Sequence, residues 1–206
     1  MKLEVKGKTL NIPDEFEEQV EKGKGIPGMN AEAVQVSAVN SEATAYIAVN
    51  LIEPDALGVR SAKGELIEIM NGRLNGDSGL ISAEDGITGE LNLYNYSITR
   101  RYDSKSNRNV YFFGGVLQNR EYQFGITGLF IESGELGKRA EYVRKLALEK
   151  GWITEDGDGW EFYPYSAGKK NCFPMNFSDF EFFDEDFPDH ALSWLRRTAD
   201  YLIKNN

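Results

Sequence analysis

Apolar and polar positions divide the 206-residue chain into stretches of two periods. Near the N-terminus, Leu3, Val5, Leu10 and Ile12 fall in a strand-like stretch that ends at Pro13. Asp14 then offers a cap for a short helix through Glu15, Phe16 and Val20, stopped by Gly23 and Gly25. Segments 33–39 and 43–51 are rich in small apolar and β-branched residues. The polar Asn40, Ser41 and Glu42 between them predict a hairpin. Leu66, Ile67, Ile69, Met70 and Leu74 form a broad apolar stripe, so a helix is expected from a Ser61 cap to about Leu74.

The middle of the chain returns to the period of two. Segments 91–102, 110–117 and 122–131 are rich in aromatic and β-branched residues, and polar turns separate them, which predicts an antiparallel meander. An amphipathic helix over 136–150 follows, with Ala140, Val143, Leu146 and Ala147 on its apolar face and Gly151 at its end. Beyond it, Asp156, Gly157, Asp158 and Gly159 predict a hairpin turn between 152–154 and 160–165. A last helix is expected from about Asp189 to Lys204, with Leu192, Leu195, Ala199, Leu202 and Ile203 on its apolar side.

Composition narrows the class. Hydrophobic residues make up 41% of the chain and aromatics 12%, enough to build a core. The net charge of −10 repels phosphate backbones, and the basic residues gather only in pairs such as Arg100–Arg101 and Arg196–Arg197. Neither nucleic acid nor an anionic membrane surface is therefore expected as partner. Cys172 is the only cysteine, which excludes an intrachain disulfide and a multi-thiolate zinc site. No apolar run approaches membrane-spanning length, and the N-terminus lacks the apolar core of a signal peptide, so the cytoplasm is the expected compartment.

The order hairpin, helix, three-stranded meander, helix resembles the Mog/PsbP-like superfamily. The matching features are the hairpin over 33–51, the helix over 61–74, and the run from Tyr122 through Gly125 to Gly128 that leads into the helix over 136–150. The resemblance implies an α+β fold, an α/β/α sandwich around a central, mainly antiparallel sheet, over residues 1–151. Residues 152–206 are then a C-terminal aromatic and acidic extension packed on the same domain and ending in a helix. The resemblance also implies a binding role, since members of that superfamily partner a small GTPase, serve as a subunit of a photosynthetic complex, or act as bacterial accessory proteins.

Candidate chemistry is sparse. Gly76, Asp77, Ser78 and Gly79 spell a sequence found around serine nucleophiles, but the single histidine, His190, lies far downstream, and a turn after the preceding helix explains the four residues. His190 follows Asp184, Glu185, Asp186 and Asp189. A metal-dependent or serine hydrolase using His190 with Asp186 and Asp189 is the alternative function. One imidazole is few for a transition metal, and an Asp189 cap on the last helix, with acids near its N-terminal dipole, accounts for the cluster. Asp156 to Gly159 fails calcium-loop spacing, because Trp160 and Ala167 occupy positions that need oxygen ligands. No phosphate-cradling motif occurs. Neither a catalytic site, a metal nor a cofactor is expected.

The most unusual composition lies between Phe173 and Phe187, where six phenylalanines interleave with five acids. Buried rings would require the acids on alternate positions; Phe180 and Phe182 obey this and Phe183 breaks it. An exposed docking strip for a basic protein partner, built from Phe180, Glu181, Phe183, Asp184, Glu185 and Asp186, is one reading; a segment strapped across the core with its rings inward is the other. A non-catalytic protein-binding or accessory role of bacterial type is the expected function.

Overall fold

The computed structural model describes residues 1–18, 33–52, 62–88, 92–165 and 172–206. In chain order the first strands are β1 (Lys2–Val5), β2 (Lys8–Asn11), β3 (Glu17–Glu18), β4 (Val34–Val39) and β5 (Ala43–Ile52). Helix α1 (Lys63–Arg73) precedes four long strands: β6 (Ser78–Thr88), β7 (Asn92–Asp103), β8 (Arg108–Gln118) and β9 (Gln123–Glu132). Then come α2 (Lys138–Glu149), β10 (Glu161–Phe162), β11 (Met175–Asn176) and α3 (Ala191–Lys204). The fold is α+β: a seven-stranded antiparallel sheet in the order β3-β4-β5-β9-β8-β7-β6, with helices and two small ribbons.

The expected hairpin and meander form, because their alternating apolar residues can all reach one face. Register aligns Ala45, Phe130, Tyr111 and Arg100 across four strands, and Ile47, Gly128, Phe113 and Ile98 in the next row. On that face α3 packs, burying Leu192, Leu195, Ala199 and Leu202 in the main core with Trp194 against Phe130. The opposite face carries Thr44, Tyr46, Phe112, Thr127 and Leu129, which stay half-buried or exposed.

Four expectations are corrected. The helix after Asp14 does not form over its described part. Phe16 closes a turn onto Pro13, and Glu17–Glu18 pairs with β4, because Phe16 gains burial in the main core. The rest of that expected helix lies outside the described residues, as does the Ser61 cap. Segment 78–88, not expected to be a strand, is β6. It pairs with β7 through an irregularity at Leu80–Ser82, which breaks the alternation that would reveal it. The turn at 156–159 exists, with Thr154 and Gly157 bonded across it, but 161–162 pairs with Met175–Asn176 instead of with 152–154. Finally, the residue capping α3 is His190, whose Nδ1 accepts from the Leu192 N–H at 3.2 Å; Asp189 accepts from Ser41 instead.

Candidate functional site

Two buried arginines, Arg100 and Arg139, and the half-buried Arg196 position the phenylalanine-rich segment 172–187, called the strap below. Arg139 continues the apolar spacing of α2, four residues before Val143 and eight before Ala147, and all three are buried. Its Nε donates to the Ser178 carbonyl at 2.6 Å and one terminal nitrogen to the Phe180 carbonyl at 2.9 Å. The other terminal nitrogen donates to Ser193 and lies 2.8 Å from the Asp184 carboxylate. Arg196 on α3 reaches the same carboxylate at 3.1 and 3.2 Å, and donates to the Asp179 carbonyl at 2.6 Å. Arg100 on β7 pairs with the buried Asp179 carboxylate at 2.9 Å and donates to the Pro174 carbonyl. Charges this deep persist only where partnered, and here each arginine also satisfies strap carbonyls that helix or sheet cannot reach.

The strap crosses β6 at Gly79, where an added Cβ would lie 2.1 Å from the Phe173 carbonyl oxygen. That close approach, with the Asn75–Ser78 turn beside it, gives Gly76 to Gly79 a structural role. Asn176 opens the next turn, accepting from the Ser178 N–H while Asp179 accepts from the Asn176 N–H.

Clamped in this way, the strap sorts its side chains. Phe183 is 2% exposed, packed with Val143 and Phe187 in a second small core. Phe182, its neighbour, is 76% exposed. Phe180 stands 41% exposed and Trp152 46%. Together with Phe177 and Glu181 these residues surround an open groove of about 680 Å³. The rings brace one another: Trp152 stacks on Phe177 at 6.0 Å between centroids, Phe177 meets Phe180 edge-on at 5.6 Å, and Phe180 stacks on Phe162 at 5.1 Å.

The expected docking residues are therefore divided. Phe180, Glu181, Glu185 and Asp186 point outward, whereas Phe183 is buried and Asp184 is taken by Arg139 and Arg196. Phe183 breaks the alternation because the strap here is two short 3₁₀ turns (Phe177–Asp179 and Glu181–Phe183), in which successive residues do not take opposite faces. The sequence reading missed Trp152 and Phe182 as part of the surface. Their signal was the concentration of aromatics in 152–165, with nothing local to join it to the strap.

The same geometry does not bring together the residues of the His190 alternative. Its Nδ1 caps α3, which leaves Nε2 to donate to Glu132 at 2.9 Å. Neither Asp186 nor Asp189 bonds the ring. Ser78 lies on β6, two strands from Tyr111 and on the opposite face from Gly79 and Arg100, and its hydroxyl bonds Asn75. Among the described residues no three His, Cys, Asp or Glu side chains gather as a metal site would require. What His190 does build is a closed buried network. Glu132 accepts from the Asn109 backbone N–H at 2.9 Å, from the Asn109 side chain and from the Tyr111 hydroxyl. Burial raises the Glu132 carboxyl, but the bonds from His190 and Asn109 outweigh it and hold the group below its ordinary 4.5. Burial, then the Glu132 charge, pushes the Tyr111 phenol well above its ordinary value.

Comparison with known proteins adds little. No protein-family model matches the chain, and no curated protein does. Among solved structures it is similar to the Saccharomyces cerevisiae Ran-binding protein Mog1p at 11% identity, over 66% of this chain and 77% of that one, with a TM-score of 0.35. At that identity and TM-score the likeness says nothing about the groove. Among the described residues no helix is long and apolar enough to cross a membrane.

Proposed function

We propose that this chain is a non-catalytic protein-binding module, an accessory or adaptor-type protein, that docks a polypeptide segment on the Trp152–Phe182 groove. The observation that carries this reading is the pairing of exposed rings with a pinned backbone. Trp152, Phe180 and Phe182 stand out around one groove, while Arg139 and Arg196 hold the carbonyls beneath it. Large aromatics gathered on one exposed patch are the usual anchors of an interface. A surface already fixed in shape loses little conformational freedom when it binds.

Charge selects the partner. Glu181 lines the groove, and Glu185 and Asp186 are exposed a few residues further along the strap, on a chain of net charge −10. A segment with aliphatic or aromatic anchors and basic neighbours complements that surface and is steered to it. In this reading Phe180, Glu181, Glu185 and Asp186 touch the partner along with Trp152 and Phe182. Phe183 and Asp184 hold the platform from below.

Selection of a random peptide library on the wild-type chain, with counter-selection on a Trp152→Ala/Phe182→Ala double variant, tests this. The enriched peptides are expected to join an apolar anchor to lysine or arginine, and to bind the double variant at least about tenfold more weakly. A selection that returns no peptide able to tell the two proteins apart sinks the reading.

A further inference from the structure

Beside the groove, and sharing Phe180 and Glu181 with it, a cavity of about 410 Å³ opens between β6, β7 and the strap. Its size is that of a side-chain or small-ligand site. Aromatic rings form much of its wall: Tyr96, Phe162, Tyr165 and Phe180. Four carboxylates line it as well: Asp179, which is paired with Arg100, and Glu84, Glu181 and Asp200. Burial first, and then nearby charges with Glu84 and Asp200 foremost, push the Tyr96 phenol in the cavity wall above its ordinary 10.0.

Among the described residues lining the cavity the one cation is Arg196, and it is committed elsewhere, to Asp184 and the Asp179 carbonyl. Lys63 reaches Glu84 at 2.9 Å and Lys204 reaches Asp200 at 3.0 Å, but both pairs are largely solvent-exposed, and such pairs are readily exchanged for another cation. Ring faces and carboxylates together favour a positive charge. An anion would meet a wall of carboxylates, and a neutral apolar group would strip water from them without replacing it.

We infer that this cavity is a subsite for a lysine or arginine side chain of the polypeptide docked in the groove. The inference rests on the docking reading and deepens it: Phe180 is the shared wall, so an anchor in the groove places its basic neighbour at the cavity mouth. The partner segment then carries an apolar anchor with a basic residue beside it.

Two probes test the subsite on the full chain. The first is n-butylammonium chloride, with n-butanol as neutral counterpart, followed through the ring signals of Tyr96 and Phe162 by NMR. Saturable shifts are expected with the ammonium ion alone, weakened on the order of tenfold in Glu181→Gln/Asp200→Asn. Equal responses to both compounds, or shifts that ignore the double variant, overturn the subsite. The second is a groove-selected peptide against its copy with norleucine in place of the basic residue. Equal affinity of the two for the wild type overturns the subsite and leaves the docking reading standing. If butylammonium saturates the cavity while no peptide binds the groove, the docking reading fails and the side-chain assignment falls with it.

Discussion

The inner and outer surfaces of the strap are made of the same residue types put to opposite uses. Inside, Phe183, Asp179 and Asp184 are buried or tied to Arg100, Arg139 and Arg196, and every charge has a partner. Outside, Phe180, Phe182 and Glu181 face solvent beside Trp152. The inner layer stabilises one conformation, and the outer layer is held in a fixed shape by it. An aromatic surface held on loose chain would collapse onto the nearest apolar neighbour; here the arginine bonds to strap carbonyls prevent that.

Removing the clamp is the severest way to break this division. Arg139→Ala leaves the Asp184 carboxylate and two buried carbonyls short of donors, and is expected to destabilise the chain by about 3–5 kcal/mol in chemical denaturation and to abolish groove binding. Phe183→Ala removes a ring from the small core under the groove and is expected to cost about 3 kcal/mol in the same measurement.

Acid sharpens the comparison by acting away from the strap. Glu132 has a folded-state carboxyl held below its ordinary value, so it takes up its proton more readily when unfolded. Its contribution is full above the ordinary value of 4.5 and is lost as pH falls through the lower folded value. In urea titrations across the acid range, wild type should lose about 1–2 kcal/mol that Glu132→Gln has already lost at neutral pH. A variant curve parallel to wild type would show that the network does not titrate.

The mildest change is the most telling about function. Phe182→Ala, one residue from Phe183, should leave stability within about 0.5 kcal/mol of wild type while reducing affinity for a groove-selected peptide. If Phe182→Ala and Phe183→Ala shift stability equally, the inner and outer layers are not distinct.

Strands that alternate cleanly were legible because local pattern and tertiary burial agree: the 33–51 hairpin, β7 to β9, and the apolar side of α3 all pack as their spacing requires. Segment β6 was not, since its two glycines, its acids and the irregularity at Leu80–Ser82 hide the period. Arg139 and Glu132 were legible in hindsight only. Each sits on an apolar period, of four in α2 and of two in β9, where a charged residue would ordinarily be assigned to solvent. Their partners, Ser178 and Phe180 for one and His190 for the other, are remote in sequence.

The sequence by itself determined the α+β class, the antiparallel pairing of its long strands and the net acidic charge, because each follows from local periodicity or from summed charge. It also held the aromatic and acidic composition of the strap. Tertiary structure alone decided which of those rings face solvent and which are core. Two 3₁₀ turns replace the strand period there, and three arginines from α2, α3 and β7 fix the turns through carbonyls that carry no side-chain signature.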